Sequence, residues 1–500
     1  MSNPDSGIAV DFDRTLGRVR PEIYGQFMSR RRWVVEDALH QPDHADADEF
    51  GNRRAVVEAI RKLAPPVIRW PGGCTGTSYE WERGIGPVAE RSRTIDWHFG
   101  YDVSNDFGTA EFVRYCRSIG AEPQINLTTG TGTLREALNW LEYCNARHDS
   151  HYANLRRSHG YDEPFDVKYW QIGNEDWGAW EIGRVPAEEH ARRCREWGRA
   201  LHKLDPRVTV LAAGALRSDL AIDWNLPLLR EAWDDLDYLC LHTYWRFDPT
   251  RPDGDFDRLI GVTDREEQSI RALRGLIELV ARERDATRTP KLAFTEWNAA
   301  NLLHNEMSPA WRPGECQYRM VDAVVCAAFL NVMQRQSDIV GLANFAQTIN
   351  VVGALVVNQK DVVRESVYWP LWMQRNHSGP VAVEAQVDSP QVYCESWSGR
   401  PESTPALDVS ATRDDAGTML WLSVVNREKE AARNIELRLR GKQVAGTTRR
   451  CELRAPSPLS RNTVAEPEVI TPAWASVDLA AESVVSVPAC SYTVFEIPLS

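Results

Sequence analysis

A chain of 500 residues, 43% of them hydrophobic, can bury one barrel-sized core and a second, smaller one. Its net charge of −13 argues against a nucleic-acid surface, which has to be basic to neutralise phosphates. No stretch approaches the ~20 apolar residues that cross a bilayer, the opening Met-Ser-Asn-Pro-Asp-Ser-Gly lacks basic and apolar signal regions, and ten cysteines are scattered without C-x-x-C pairs, so a cytoplasmic protein with reduced thiols and no metal or other cofactor is expected.

In chain order, residues 8–12 alternate apolar and polar side chains like one strand that pairs with something distant in sequence. The basic run Arg30-Arg31-Arg32 reads as a solvated loop or subunit contact. Strand-like segments at 22–27, 67–70, 123–127, 168–172, 209–213, 237–241, 291–294 and 339–346 alternate with amphipathic ones. Three of the latter carry Val56, Val57, Ile60 and Leu63; Phe112, Val113, Cys116 and Ile119; and Ile270, Leu273, Leu276, Ile277 and Val280, all at helical spacing. Eight strand–helix units closing on themselves predict an α/β fold, a (β/α)8 TIM barrel over 14–379. From about residue 380 strands follow one another without helices, at 381–387, 391–397, 406–411, 418–425, 434–439 and on to 492–497. This predicts a C-terminal antiparallel β-sandwich over 380–500 that residues 1–13 join as a strand. Segments 400–405 and 455–458 read as ordinary connections.

Two barrel strands run into carboxylic acids. The apolar residues from Tyr169 to Ile172 give way at Gly173 to Asn174 and Glu175, and Lys291-Leu-Ala-Phe-Thr leads into Glu296, Trp297 and Asn298. The carboxyl ends of barrel strands form the active-site face. Glycosidic bond cleavage needs one acid to protonate the departing oxygen and one carboxylate to attack or stabilise the anomeric carbon. Glu175 and Glu296 supply that pair, against the plain alternative of two surface acids. Arg69 ends strand two and can hold a carboxylate, with Gly72 and Gly73 letting backbone approach a ligand. Asn174 can donate to a sugar hydroxyl or cap its loop, Tyr244 at the end of strand six can hydrogen-bond the nucleophile or sit buried, and Gln347 at the end of strand eight can reach a hydroxyl or its own loop. Cys74 alone is poor grounds for a nucleophile, having no evident His partner. Nineteen tryptophans suggest sugar-stacking surfaces, although most belong in the core.

The segments Ile23-Tyr-Gly-Gln-Phe27, Arg69-Trp-Pro-Gly-Gly-Cys74, Glu80-Trp-x-x-Gly84-Ile-Gly-Pro87, Asn105-Asp-Phe-Gly108, Gly173-Asn-Glu175, Leu241-His-x-Tyr244, Glu296-Trp-Asn298 and Ala346-Gln-x-x-Asn-Val351 resemble, in order and over nearly the whole chain, glycoside hydrolase family 51, the α-L-arabinofuranosidases. That resemblance implies a barrel plus β-sandwich, cleavage with retention, no metal, and a trimer or hexamer. It implies Glu175 as acid/base and Glu296 as nucleophile. Arg69, Cys74, Asn174, Tyr244 and Gln347 become substrate-site residues, with Trp180 near the entrance.

Two positions depart from the family. Ser29-Arg30 replaces the usual Glu-His, whose Glu binds sugar hydroxyls, and Thr75-Gly-Thr-Ser78 replaces the usual acidic loop after Cys74. The reading is therefore a retaining exo-acting furanosidase on an oligosaccharide or glycoside, with α-L-arabinofuranose the leading sugar. Ser29 and its neighbours open an alternative such as β-D-galactofuranose. A carbohydrate-binding protein without catalysis is the reading from another class.

Overall fold

The computed structural model describes residues 4–216, 219–301, 315–479 and 484–500. Eight parallel strands close into a barrel in the order Gly25–Phe27, Val67–Trp70, Glu122–Leu127, Tyr169–Ile172, Thr209–Ala213, Tyr238–Phe247, Lys291–Asn301 and Val340–Ala346, the last pairing with the first. Helices such as Arg54–Leu63, Thr109–Ser118 and Val262–Glu283 turn their apolar stripes inward onto this ring. The strands are covered outside by helices and filled inside by their own side chains, which is why they read as continuous apolar runs.

Strands one, six and seven differ most from expectation. The first is three residues long, because Pro21 opens a 3-10 turn over Pro21–Tyr24 and delays the strand. The seventh continues past Phe294 to Asn301, since the sixth extends beside it and Phe247 pairs with Asn301. Glu296 therefore lies within its strand rather than beyond it, after a register shift between Phe294 and Glu296 that re-aims the side chain. The run at 30–32 is also not a solvated loop. Arg30 and Arg31 are buried, and the Arg30 guanidinium donates to Asn105 Oδ1 at 3.0 Å while lying 4.6 Å from the Tyr79 ring centre.

The second body is a nine-stranded sheet ordered Ala473–Val477, Thr448–Leu453, Ser491–Pro498, Met419–Asn426, Leu407–Arg413, Val381–Asp388, Ser6–Arg18, Arg433–Arg440 and Val484–Val487. Ile435 and Val485, toward one edge, share a core with Leu422, Val424 and Phe495 toward the other. The sheet thus folds over on itself and encloses its apolar face as a sandwich does. Ser6–Arg18 pairs antiparallel with Val381–Asp388 but parallel with Arg433–Arg440, so the sheet is mixed rather than purely antiparallel. Pro401–Pro405, expected as a connection, is a strand hydrogen-bonded to Gln391–Glu395 in a separate hairpin.

Helix Met320–Arg335 is buried on nearly every side because it lies between the two bodies. Asn331 Nδ2 donates to Asp408 Oδ1 at 2.8 Å, and Arg335 bridges Glu267 of the barrel at 2.8 Å and Asp408 of the sheet at 3.0 Å. Among the described residues no helix is long and apolar enough to cross a membrane.

Candidate active site

Strands two, four, six and seven converge on one buried polar cluster. Arg69, fully buried, donates to Glu296 Oε1 at 2.7 Å with one nitrogen and to Asn174 Oδ1 at 2.7 Å with the other. Tyr244 donates to the second oxygen of Glu296 at 2.6 Å. His242, two residues before Tyr244, sits between the acids, with Nδ1 2.9 Å from Glu175 Oε1 and 3.8 Å from Glu296 Oε1, and with Nε2 3.0 Å from Thr295 Oγ1. Facing oxygens of Glu175 and Glu296 lie within 4.8 Å of each other.

Local backbone conformation makes this convergence possible. At Gly73 a Cβ would meet Glu296 Oε1 at 2.5 Å and Asn174 Oδ1 at 3.1 Å, so the chain must lack a side chain there for the loop to close over the carboxylate. Glu175 itself is left-handed, at φ 48°, a conformation that costs a non-glycine residue on the order of 1–3 kcal/mol. Buried Asp176 fixes that turn from beneath: it accepts from Asn174 N–H at 3.1 Å and Thr129 Oγ1 at 3.3 Å, and its other oxygen is 2.9 Å from His190 Nδ1.

Charges around the two acids are unequal. Burial alone would raise the Glu296 pKa, but the neighbouring His242, Arg69 and Tyr244 outweigh it and hold the carboxylate below its usual value, hence ionised. Burial and the nearby Glu296 push the Tyr244 phenol well up, so it stays a donor. Among the described residues no arginine pairs with Glu175, which receives the Trp180 indole N–H on Oε2 at 2.7 Å, with that indole half exposed. An ionised, triply supported carboxylate facing a second acid can attack an electrophilic carbon while its partner gives up a proton.

Around this pair the structure gathers the remaining candidates. Gln347 accepts from the buried Ser29 N–H at 3.1 Å, so these two form one wall. Beyond Thr75 lies a cavity of about 260 Å³ lined by Arg30, Thr75, Ser78, Arg83, Asp96 and Trp97, with neither Cys74 nor the two acids in its wall. Cys74 does have a histidine nearby: donor atoms of Cys74, His98 and Glu181 lie within 4.8 Å of one another. Burial, with the charges of Glu181 and Glu175, pushes the Cys74 thiol well above its ordinary value, which speaks against a thiolate nucleophile. Glu181 accepts from Asn174 Nδ2 at 2.9 Å, and burial reinforced by Glu175 pushes its carboxyl up to about 8. Sequence reasoning missed His242, Asp176, His190, His98 and Glu181. His242 and Asp176 sat inside quoted motifs or beside them, whereas Glu181 and His98 had no local signal.

Two carboxylic acids facing one another at the carboxyl end of an eight-stranded barrel, with a β-sheet body packed behind, define a glycoside hydrolase. The family model for the "Alpha-L-arabinofuranosidase 1 domain" matches residues 59–255, and that for the "Alpha-L-arabinofuranosidase C-terminal domain" matches 295–491. The chain is 32% identical over 451 residues to alpha-L-arabinofuranosidase C of Emericella nidulans, covering 87% of each chain. It is 29% identical over 443 residues to the intracellular exo-alpha-(1->5)-L-arabinofuranosidase of Halalkalibacterium halodurans, again covering 87% of each. The solved structure of the thermostable family 51 α-L-arabinofuranosidase from Thermotoga petrophila superposes with a TM-score of 0.89 at 32% identity, over 98% of this chain and 99% of that one. The chain belongs to the α-L-arabinofuranosidases of glycoside hydrolase family 51.

Proposed function

We propose that this protein releases terminal, non-reducing α-L-arabinofuranosyl residues by double displacement, with Glu296 as nucleophile and Glu175 as acid/base. The observation that carries the reading is the carboxylate separation, within 4.8 Å. Retaining enzymes hold their acids about 5–5.5 Å apart, whereas inverting ones leave about 6.5–9.5 Å for a water. In the first step Glu296 bonds to the anomeric carbon as the C–O bond to the leaving group breaks and Glu175 passes its proton to that oxygen. In the second, water attacks the same carbon, gives its proton to Glu175, and Glu296 leaves as carboxylate. Arg69 and Tyr244 hold Glu296, and Asn174 reaches the hydroxyl beside the anomeric carbon. Cys74, Gln347 and Ser29 line the sugar, and Trp180 lies at the mouth. The test is Glu296→Ala: turnover falls by roughly 10⁴-fold or more, the scale on which losing a nucleophile acts, and added azide restores it in part with an inverted product. Near wild-type turnover in this variant removes Glu296 from the role.

A second reading keeps the mechanism and changes the sugar. Ser29 is buried beside Gln347, and Thr75 and Ser78 of the altered loop line a cavity that the neighbouring Arg30 also borders. The groups nearest to Ser29 in sequence are committed elsewhere, Arg30 to Asn105 and Gln26 Oε1 to Thr348 Oγ1 at 3.3 Å. A serine is smaller than the glutamate the family carries at this position, and the volume it gives up would suit the extra hydroxymethyl carbon of β-D-galactofuranose. Ser29→Glu should shift the kcat/KM ratio toward arabinofuranoside by about 10-fold or more, since a hydrogen bond to a charged group is worth roughly 1.5–3 kcal/mol. A wild type that already prefers arabinofuranoside strongly, with a ratio unmoved by Ser29→Glu, rejects it.

We also propose an intracellular setting and a homo-oligomer, trimeric or hexameric. Ten free thiols support the first, in line with a reducing compartment, and the family resemblance supports the second. Sedimentation of the purified protein tests the assembly.

A further inference from the structure

Cys74, His98 and Glu181 come from three separate loops: the turn Cys74–Ser78 after strand two, the loop joining Thr94–Ile95 to Asp102–Val103, and the turn beyond Glu175. One soft sulfur, one imidazole nitrogen and one carboxylate oxygen lie within 4.8 Å of one another. Glu181 is only 5% exposed, and its Oε2 has no well-aligned hydrogen-bond donor among the described residues, the Cys74 thiol being the one group that interacts with this carboxyl from that side. A buried carboxylate oxygen that meets nothing better than a weak thiol donor leaves a place for a stronger ligand. Glu175 and Glu296 stand behind the cluster and add negative charge, which Arg69 offsets only in part. Cys74 and His98 are both partly exposed, so an ion has a route in.

We propose that Cys74, His98 and Glu181 form a site for a thiophilic divalent cation of the zinc and cadmium class, and that its occupancy blocks the sugar pocket. Mixed sulfur, nitrogen and oxygen donors suit zinc, with bonds of about 2.3 Å to sulfur and about 2.0–2.2 Å to nitrogen and oxygen. Donors around such a tetrahedron stand roughly 3.6 Å apart by that geometry, so the three loops need to close by no more than about 1 Å. As the metal–sulfur bond forms, the thiol releases its proton to solvent. Three protein donors leave a fourth position for water or a sugar hydroxyl. The blocking role rests on the reading that Cys74 and Asn174 line the sugar, because Glu181 also holds the Asn174 amide; the binding itself does not.

Cadmium serves as the probe, followed by its ultraviolet thiolate charge-transfer band. Wild type should bind one cadmium per chain. Cys74→Ser should abolish the band, and His98→Ala and Glu181→Gln should each weaken binding at least tenfold. Cys316→Ser controls for the other partly exposed thiol and should change nothing. A band that survives Cys74→Ser, or is absent from wild type, overturns the site. A band that both His98→Ala and Glu181→Gln leave unweakened reduces it to a lone thiol and overturns it equally. Thermal melts establish that each variant is folded, and a cadmium-soaked crystal should show an anomalous peak among the three side chains. Zinc should inhibit wild type competitively with substrate and inhibit His98→Ala at least tenfold less. Tight cadmium binding without inhibition leaves the site standing and overturns the blocking role together with the placement of the sugar.

Discussion

Tyr244→Phe removes a single oxygen, and its consequence can be worked from the site. The phenol donates to Glu296 Oε2 at 2.6 Å in a buried setting, and its hydrogen bond is one of the causes that hold the Glu296 pKa low. A hydrogen bond to a charged group is worth about 1.5–3 kcal/mol, and one pKa unit is ~1.4 kcal/mol, so losing it should raise the Glu296 pKa by about one to two units. On the proposed mechanism Glu296 attacks as the carboxylate, so activity is present above its pKa and lost as pH falls through it. The acid limb of kcat/KM, which reports the free enzyme, should therefore move to higher pH by about one to two units while the alkaline limb stays. The assay is kcat/KM for an aryl α-L-arabinofuranoside across pH, for wild type and variant. An acid limb that does not move, or a shift confined to the alkaline side, refutes the claim that Tyr244 supports the nucleophile.

Glu175→Ala should depend on the leaving group. General acid catalysis contributes roughly 10²–10⁴-fold, so glycosylation should slow by that range with sugar leaving groups and far less with activated aryl ones; equal losses contradict the assignment. Asp176→Asn breaks a fully buried pair with His190 and should cost about 3–5 kcal/mol of stability, read from denaturant unfolding. The same pair predicts a pH profile for Tm. Although burial opposes it, contact with His190 holds Asp176 below its usual value, so its contribution is present above ~3.9 and fades as pH falls. His190, which burial alone would lower but Cys194 and Asp176 raise to about 10, contributes fully below ~6.5 and loses that contribution as pH climbs toward its folded value. Wild-type Tm should be highest between about 4 and 6.5 on this account and decline above it, and Asp176→Asn should flatten the decline; a wild-type Tm constant from neutral pH into the alkaline range excludes it.

Much of this architecture was legible because the barrel repeats a simple pattern. Strands at 67–70 and 209–213 were bounded to the residue, since apolar runs end there at turn residues. Arg69, Tyr244 and the two acids were legible because barrel topology sends every strand's carboxyl end to one face. What failed was whatever depends on neighbours distant in sequence. The seventh strand continues because the sixth offers it a partner, which no window around Glu296 reveals. Arg30 is buried because Asn105 and Tyr79 receive it. Cys74, His98 and Glu181 meet through three loops, so neither the cluster nor the raised pKa of Glu181 had any trace in local spacing.

The strand Ser6–Arg18 lies between Val381–Asp388 and Arg433–Arg440 in the sheet, although the whole barrel separates them along the chain. No single cut therefore divides this protein into two self-sufficient halves. A fragment ending near residue 380 carries an apolar strand with Ile8, Val10 and Phe12 and no sheet to receive it, and the complementary fragment has a slot with unpaired backbone on both sides. On the ribosome, this strand waits for residues 381–440 before both of its edges can be paired. A rearranged gene that moves residues 1–18 to the end of the chain would let the sheet complete itself from contiguous sequence, and would free the barrel to be studied alone.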